Sequence, residues 1–409
     1  MSLRSNPSFL RLFGGRLITN VGDSLYYIAA MWLVYDLTGS TALTGVIGFL
    51  TGIPSTFQFL FGPIADRYEL RWLATVTQVV QGVGVATIPL AAAAGSLSVW
   101  LIVVVAPLLS LLNQAVYPAT SAALPLVTNS DEELVTANSL LAASGQATSA
   151  VFNAVGGVLI GVVGAVSLFT IDVVTFGIAA LLFVGIQTDS PESDTTGDGD
   201  NYLQEIRQGI DYIRGSTITK MYGTTMVANI GSGAVFAVLP AFADTLGGPE
   251  TYGYLLSAVA VGTLVGAVGA SYVDDYPYAL TMVVGSTVSC LAFGTAATVG
   301  SVPVVLSLAL VGTIPIGISN VLVSSMVQST VDQALLGRVM SIVQSLTSAM
   351  MPVGNLVGGF LGDIYGAGTV VFALAVSQAV IAVTFLASRD LRSLPAIGDA
   401  EPADLGLPR

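Results

Sequence analysis

The sequence has no histidine, one cysteine and one lysine in 409 residues. Each scarcity excludes a chemistry. Without histidine there is no imidazole metal site, no Ser-His-Asp triad and no histidine proton relay. The single lysine, Lys220, does not close a Gly-x-x-x-x-Gly-Lys run, so the chain holds no P-loop for ATP. The single cysteine, Cys290, excludes an intramolecular disulfide, and its apolar surroundings in sequence make it a small packing group. Charge is scarce as well: 9% of residues are charged, against about 25% in soluble domains. No cofactor, no metal and no enzymatic activity are expected, and a formal net charge of −13 disfavours nucleic acid as a partner.

What is present is apolar surface. Hydrophobic residues make up 54% of the chain, more than a water-soluble domain of this size can hide. The stretches 72–130 and 276–331 contain no charged residue, and each is long enough for two membrane crossings of ~20 residues. The pattern predicts an all-α integral membrane protein with about twelve spans: 10–37, 43–65, 72–93, 99–124, 135–163, 166–186, 217–246, 252–273, 279–299, 302–327, 339–362 and 369–387. The cations fall at or near loop ends on one side of this layout, which puts both termini in the cytoplasm. The first apolar run contains Arg16 and Asp23 and lacks a small-residue cleavage site, so it reads as a membrane helix rather than a signal peptide.

The chain repeats itself. Asn153-Ala154-Val155-Gly156-Gly157 is echoed by Asn355-Leu356-Val357-Gly358-Gly359, 202 residues later. Asn20-Val21-Gly22-Asp23 is echoed by Asn229-Ile230-Gly231-Ser232, 209 residues later. Two six-helix halves, 1–187 and 217–388, account for both offsets, and parallel halves around a midplane cavity are an architecture of alternating-access carriers. Between them, 188–216 reads as a cytoplasmic linker: a polar stretch, then an amphipathic helix with Leu203, Ile206, Ile210 and Ile213 on one face. Residues 389–409, acidic through Asp399, Glu401 and Asp404, read as a disordered cytoplasmic tail. The acidic excess with almost no lysine suggests adaptation to high salt, with compositional drift as the alternative.

Between the second and third predicted spans lies Gly62-Pro63-Ile64-Ala65-Asp66-Arg67-Tyr68-Glu69-Leu70-Arg71. Gly62, Asp66, Arg67 and Arg71 match the signature loop of the major facilitator superfamily, while Glu69 and Leu70 depart from it. Within that superfamily the chain resembles the enterobactin-exporter and macrolide-efflux carriers, the transmembrane secretion effectors. The residues that carry this are Asn20-Val21-Gly22-Asp23, Pro118-Ala119 with Ala122 and Pro125, Leu134 with Ala137-Asn138, and Gly337-Arg338-Val339. The resemblance implies export of small organic molecules, usually in exchange for protons, by a protein that works in the lipid bilayer as a monomer. It also implies an inner gate in which Asp66 meets the Gly337-Arg338 end of the eleventh helix, with Arg67 and Arg71 facing Asp131-Glu132-Glu133. Two features depart from proton antiporters of the superfamily: the fourth span has no arginine, and the Pro of a Gly-Pro-x-x-Gly-Gly motif is missing from the fifth.

Ionisable groups at membrane depth are costly and therefore candidate functional sites. Arg16, Asn20, Asp23 and Tyr27 share one face of the first helix, predicted to line the cavity. Arg16 and Asp23 are ~10 Å apart along the axis, so Asp23 is placed to take up a proton or meet a cationic substrate. Asp172 is a second candidate, with an interfacial or packing role as the competing reading. Asp36, Asp244 and Asp363 sit at outer helix ends and are expected to face water. The sequence points to a secondary carrier exporting an amphiphilic small molecule by proton antiport. Uptake or facilitated diffusion of a metabolite, and a transport-dead scaffold or sensor of the same fold, stay open as alternatives.

Overall fold

In a computed structural model the described residues are Leu3, 6–61, 69–128, 130–186 and 211–407. Twelve long helices follow one another: α1 Pro7–Thr38, α2 Thr41–Gly52, α3 Leu70–Ala93, α4 Val99–Ala123, α5 Asp131–Val163, α6 Ala165–Val184, α7 Thr217–Leu246, α8 Pro249–Gly269, α9 Tyr278–Ala296, α10 Val302–Thr330, α11 Gln333–Tyr365 and α12 Ala367–Ala387. A four-residue helix, α13 (Arg389–Arg392), follows. No strand occurs among the described residues. Among the described residues, nine helices are long and apolar enough to cross a bilayer by that measure alone.

Side-chain chemistry sets the helix ends. Asn6 caps α1 by accepting from the amides of Ser8 and Phe9, with Pro7 at the first helical position. Ser40 caps α2 and Ser130 caps α5 in the same way. Gly164, φ 81°, turns the chain between α5 and α6, and Gly366, φ 86°, does so between α11 and α12. These glycines stand 202 residues apart, so the repeat seen in sequence extends to the corners of the fold.

The second span departs from the sequence reading. An unbroken helix was expected over 43–65, but α2 stops at Gly52 and gives way to 3₁₀ turns over Ile53–Phe61, with a non-helical break at Phe57. Gly52 weakens the helix, and Pro54 has no amide to give to the ladder.

Large apolar side chains lie exposed along the helices, among them Trp72, Val83, Leu90, Trp100, Val162 and Leu181. In water such a surface would aggregate. On a chain with these spans it is the surface that meets lipid tails, and the protein is a multi-pass membrane protein.

The chain divides into two compact units. One is built on α1 to α6 together with Tyr252–Ser257; the other comprises the remainder of α7 to α12 and the C-terminal segment. In the first, α1 packs against α6 and α5, and α3 packs against α6. In the second, α7 packs on α11 and α12, and α9 on α12 and α10.

Residues 389–407 are not a disordered acidic tail but part of the second unit. Leu391, Leu394, Leu405 and Leu407 are buried in a core shared with Ile218, Met221, Tyr278, Met282 and Val327. The Tyr278 amide donates to the Pro395 carbonyl, and the Ile397 amide to the Asp274 carbonyl. Lys220 pairs with Asp390. Two acids that suggested solvation instead close a capping box, Glu401 with Asp404, at the start of a 3₁₀ turn. Four spaced leucines outweigh the local charge. Most of the amphipathic linker helix lies outside the described residues, but its last apolar position, Ile213, is buried in this same core.

Candidate functional site

The first helix carries the polar residues picked out in sequence, and the structure gives each a distinct neighbour. α1 runs unbroken through Arg16, Asn20, Asp23 and Tyr27. Arg16 is buried; Asn20, Asp23 and Tyr27 are half-buried. Asp23 points toward α4, where Asn113 Nδ2 donates a 2.7 Å hydrogen bond to its Oδ2. The charge of Arg16 also acts on Asp23. No arginine serves the fourth span, and the amide of Asn113 is what that helix offers the carboxylate.

One residue back, α1 turns a different face. A Cβ on Gly22 would overlap Asp172 Oδ1 and Thr175 Oγ1 of α6, so α1 and α6 meet there through a bare backbone. Asp172 is 0% exposed. Thr175 Oγ1 donates to Asp172 Oδ1 at 2.9 Å, while Oδ2 is buried with no hydrogen-bond partner among the described residues. Asp172 is thus enclosed between α1 and α6 rather than open at the surface of its helix. Tyr26 packs beside it, edge-on to Phe169 with ring centroids 5.7 Å apart. Asp23 is near enough for its charge to act on Asp172.

A neutral polar chain continues the cluster into α3. Thr19 Oγ1 lies 3.2 Å from Gln78 Oε1, Gln78 Nε2 donates to Gln81 Oε1 at 3.4 Å, and Gln81 Nε2 donates to the Leu109 carbonyl of α4 at 3.0 Å. Gln78 and Gln81 are fully buried. Asn113, Gln78, Gln81 and Thr175 escaped the sequence reading. Their signal was the presence of amides and a hydroxyl in otherwise apolar runs, which is weaker than charge. Together α1, α3, α4 and α6 hold an acid pair, an arginine and four amide side chains inside an apolar unit. Such a cluster can hold a proton or a polar ligand group; among the described residues no three His, Cys, Asp or Glu side chains group as metal ligands.

Of the gate residues, Gly62, Asp66 and Arg67 lie outside the described residues. Arg71 is exposed at the start of α3, and Arg338 is half-buried in the second turn of α11. Asp36, Asp244 and Asp363 are exposed near the ends of α1, α7 and α11.

Comparison with known proteins supplies the family and the fold. The chain is 26% identical over 407 residues to the multidrug efflux pump Tap of Mycobacterium tuberculosis, spanning 95% of this chain and 96% of that protein. It is 21% identical over 392 residues to macrolide efflux protein A of Streptococcus pyogenes, covering 90% and 94% of the two chains. Among solved structures, the nucleoside transporter NupG superposes with a TM-score of 0.75 at 14% identity, over 93% of this chain and 98% of the other. A bacterial homologue of the human lysosomal transporter Spinster superposes with a TM-score of 0.71 at 12% identity, over 93% and 95%. Those two likenesses establish the major facilitator fold. The family model described as transmembrane secretion effector matches residues 3–404, and the chain belongs to that family of membrane transporters, which are not enzymes.

Proposed function

We propose that this protein is a secondary carrier that exports small amphiphilic molecules, of drug or siderophore type, in exchange for protons. The observation that carries the reading is Asp23. It is a half-buried carboxylate within an apolar helix, held by one amide from Asn113 and without a salt bridge in that bond. A carboxylate so placed can exchange its negative charge for a proton or for the charge of a cationic substrate, and competition between the two gives antiport. The names of the efflux relatives favour export over uptake. Residues 1–187 and 217–388 are the two halves that would rock about the substrate, joined by the 188–216 linker. Asp66, with Gly62, Arg67 and Arg71, would hold the inner side closed against Arg338. The protein acts as a monomer in the cell membrane with both termini in the cytoplasm, and its acidic surface suits a salt-rich cell.

The deciding experiment measures retention of ethidium and erythromycin in cells with and without the protein, in the presence and absence of a protonophore. Export by proton antiport predicts lower retention that the protonophore reverses. Accumulation would indicate an importer, export indifferent to the protonophore a facilitator, and no effect on either compound a scaffold; each of these outcomes counts against the proposal.

A further inference from the structure

The two halves of the chain provide an internal control on the polar cluster. In the second half, Gly231 takes the place of Gly22, 209 residues on, and a Cβ there would crowd Ser377 Oγ and Leu374 Cδ1 of α12. Leu374 and Ser377 each stand 202 residues after Asp172 and Thr175. Both halves therefore use the same joint: a glycine of the first helix set against a small hydroxyl of the sixth. The neighbouring position is aspartate in one half and leucine in the other. Other contacts follow the same rule. Gly156 approaches Leu25, as Gly358 approaches Ala234; Asn20 lies near Gly145, and Asn229 donates to the carbonyl of Thr347.

Packing alone is thus satisfied by an apolar residue at this joint, and Leu374 is 4% exposed. An aspartate in its place costs desolvation and leaves Oδ2 with no partner among the described residues. With Oδ1 accepting from Thr175 and Oδ2 unpartnered among the described residues, the second oxygen is the one placed to carry a proton. From α1 the charge of Asp23 acts on Asp172, Asp172 in turn acts on Tyr26, and Arg16 acts on Asp23. On α3 the charged side chain is Arg71, in the first turn, with Gln78 and Gln81 neutral; on α5 the acids lie in the first turn, at the far end from the α5–α6 corner.

We propose that Asp172 is a second proton-carrying carboxyl of the transport cycle, protonated while Gly22 closes the α1–α6 joint over it and deprotonated to water when the joint loosens. This deepens the proton-exchange reading and rests on it. The step is a simple proton transfer: the Oδ–H bond breaks, the proton goes to water on one side, and a proton from water on the other side re-forms it. With Asp23, the first half then carries two exchangeable protons. The second half carries none at the matching places, which are Ser232 and Leu374.

Two measurements test this. The first uses purified protein in lipid without substrate: infrared difference spectra between acidic and alkaline buffer should contain a protonated-carboxyl C=O band that disappears in Asp172→Asn and persists in Asp23→Asn. The second uses Asp172→Leu, which copies the other half and so preserves the joint. In proteoliposomes with an imposed pH gradient, protons exchanged per ethidium should fall about twofold in Asp172→Leu while the variant remains monodisperse. A titrating band unchanged by Asp172→Asn, or an unaltered proton count in Asp172→Leu, overturns the proposal. If the wild-type protein ignores the pH gradient, proton antiport fails as a function, but the infrared band still reports whether Asp172 exchanges a proton.

Discussion

Asn113 and Asp23 meet across α4 and α1 in a single 2.7 Å hydrogen bond from amide to carboxylate. Hydrogen bonds to charged groups contribute about 1.5–3 kcal/mol, and loss of 1.4 kcal/mol is about tenfold in an equilibrium. Asn113→Leu is expected to lower gradient-driven dye export by about tenfold or more. Asp23→Asn preserves size and hydrogen bonding but removes the proton, so it is expected to abolish gradient-driven export while substrate binding or passive exchange stays measurable. Dye efflux with and without an imposed pH gradient separates the two. Full gradient-driven export by Asp23→Asn would move the coupling site elsewhere.

The Gly22 joint gives a stability prediction. Any side chain at 22 drives into Asp172 and Thr175, and one at 231 drives into Ser377. Overpacking of this kind costs about 1–3 kcal/mol. Gly22→Ala and Gly231→Ala are expected to lower the melting temperature in detergent, read by size-exclusion after heating. Adding Thr175→Ala and Asp172→Ala to Gly22→Ala should recover most of the loss, because the overlapping atoms are then gone. Equal instability in the single and triple variants would mean the glycine serves some other purpose.

Most of the helices were legible in the sequence because they are long apolar runs, and length plus hydropathy is all that a bilayer demands. Eleven of the twelve begin within four residues of their predicted start, and α11 begins earlier because its first turns carry polar side chains. Asp23 was legible for the same reason, as a charge where none is cheap. Its partner was not, because which residue of α4 faces it depends on how that helix is rotated, and periodicity in an all-apolar span fixes no rotation. The surroundings of Asp172 were hidden for a related reason: position along a span gives depth, not which neighbour packs on a residue, and here the neighbour is the bare backbone of Gly22.

The inner gate is open to a direct test. If Asp66 latches the cytoplasmic side, Asp66→Asn removes the charge that a helix N-terminus and a nearby arginine favour. The expected outcome is greater labelling of single cysteines placed at inner cavity positions, in a Cys290→Ser background. Unchanged labelling would remove Asp66 from the gate.

Salt dependence follows from the net charge of −13. At about 1 M salt the Debye length is ~3 Å and loop carboxylates hardly sense one another; at about 0.1 M it is ~10 Å and they repel. A protein adapted to high salt is expected to lose melting temperature or aggregate over that range. A melting temperature indifferent to salt would assign the acidic excess to compositional drift.

The C-terminal segment is where acidity and burial conflict, and it yields the last prediction. A disordered tail can be removed without effect. Here Leu405 is 0% exposed and Leu407 5%, both in the core with Ile218, Met221 and Tyr278. The backbone of 395–397 is bonded to Tyr278 and Asp274. Deleting residues 393–409 would uncover that core at the ends of α7 and α9 and leave the Tyr278 amide without its acceptor. Leu405→Ala alone removes buried methyl groups at a cost of about 2–5 kcal/mol. Both variants are expected to melt at lower temperature and to give less monodisperse protein than the parent chain. Asp404→Ala, which breaks the capping box, should cost less, about 1 kcal/mol. Glu401→Gln keeps an acceptor for the box and should be nearly silent, so the order deletion, Leu405→Ala, Asp404→Ala, Glu401→Gln tests the packing directly. A deletion with unchanged melting temperature would mean that the segment does not hold the second half together.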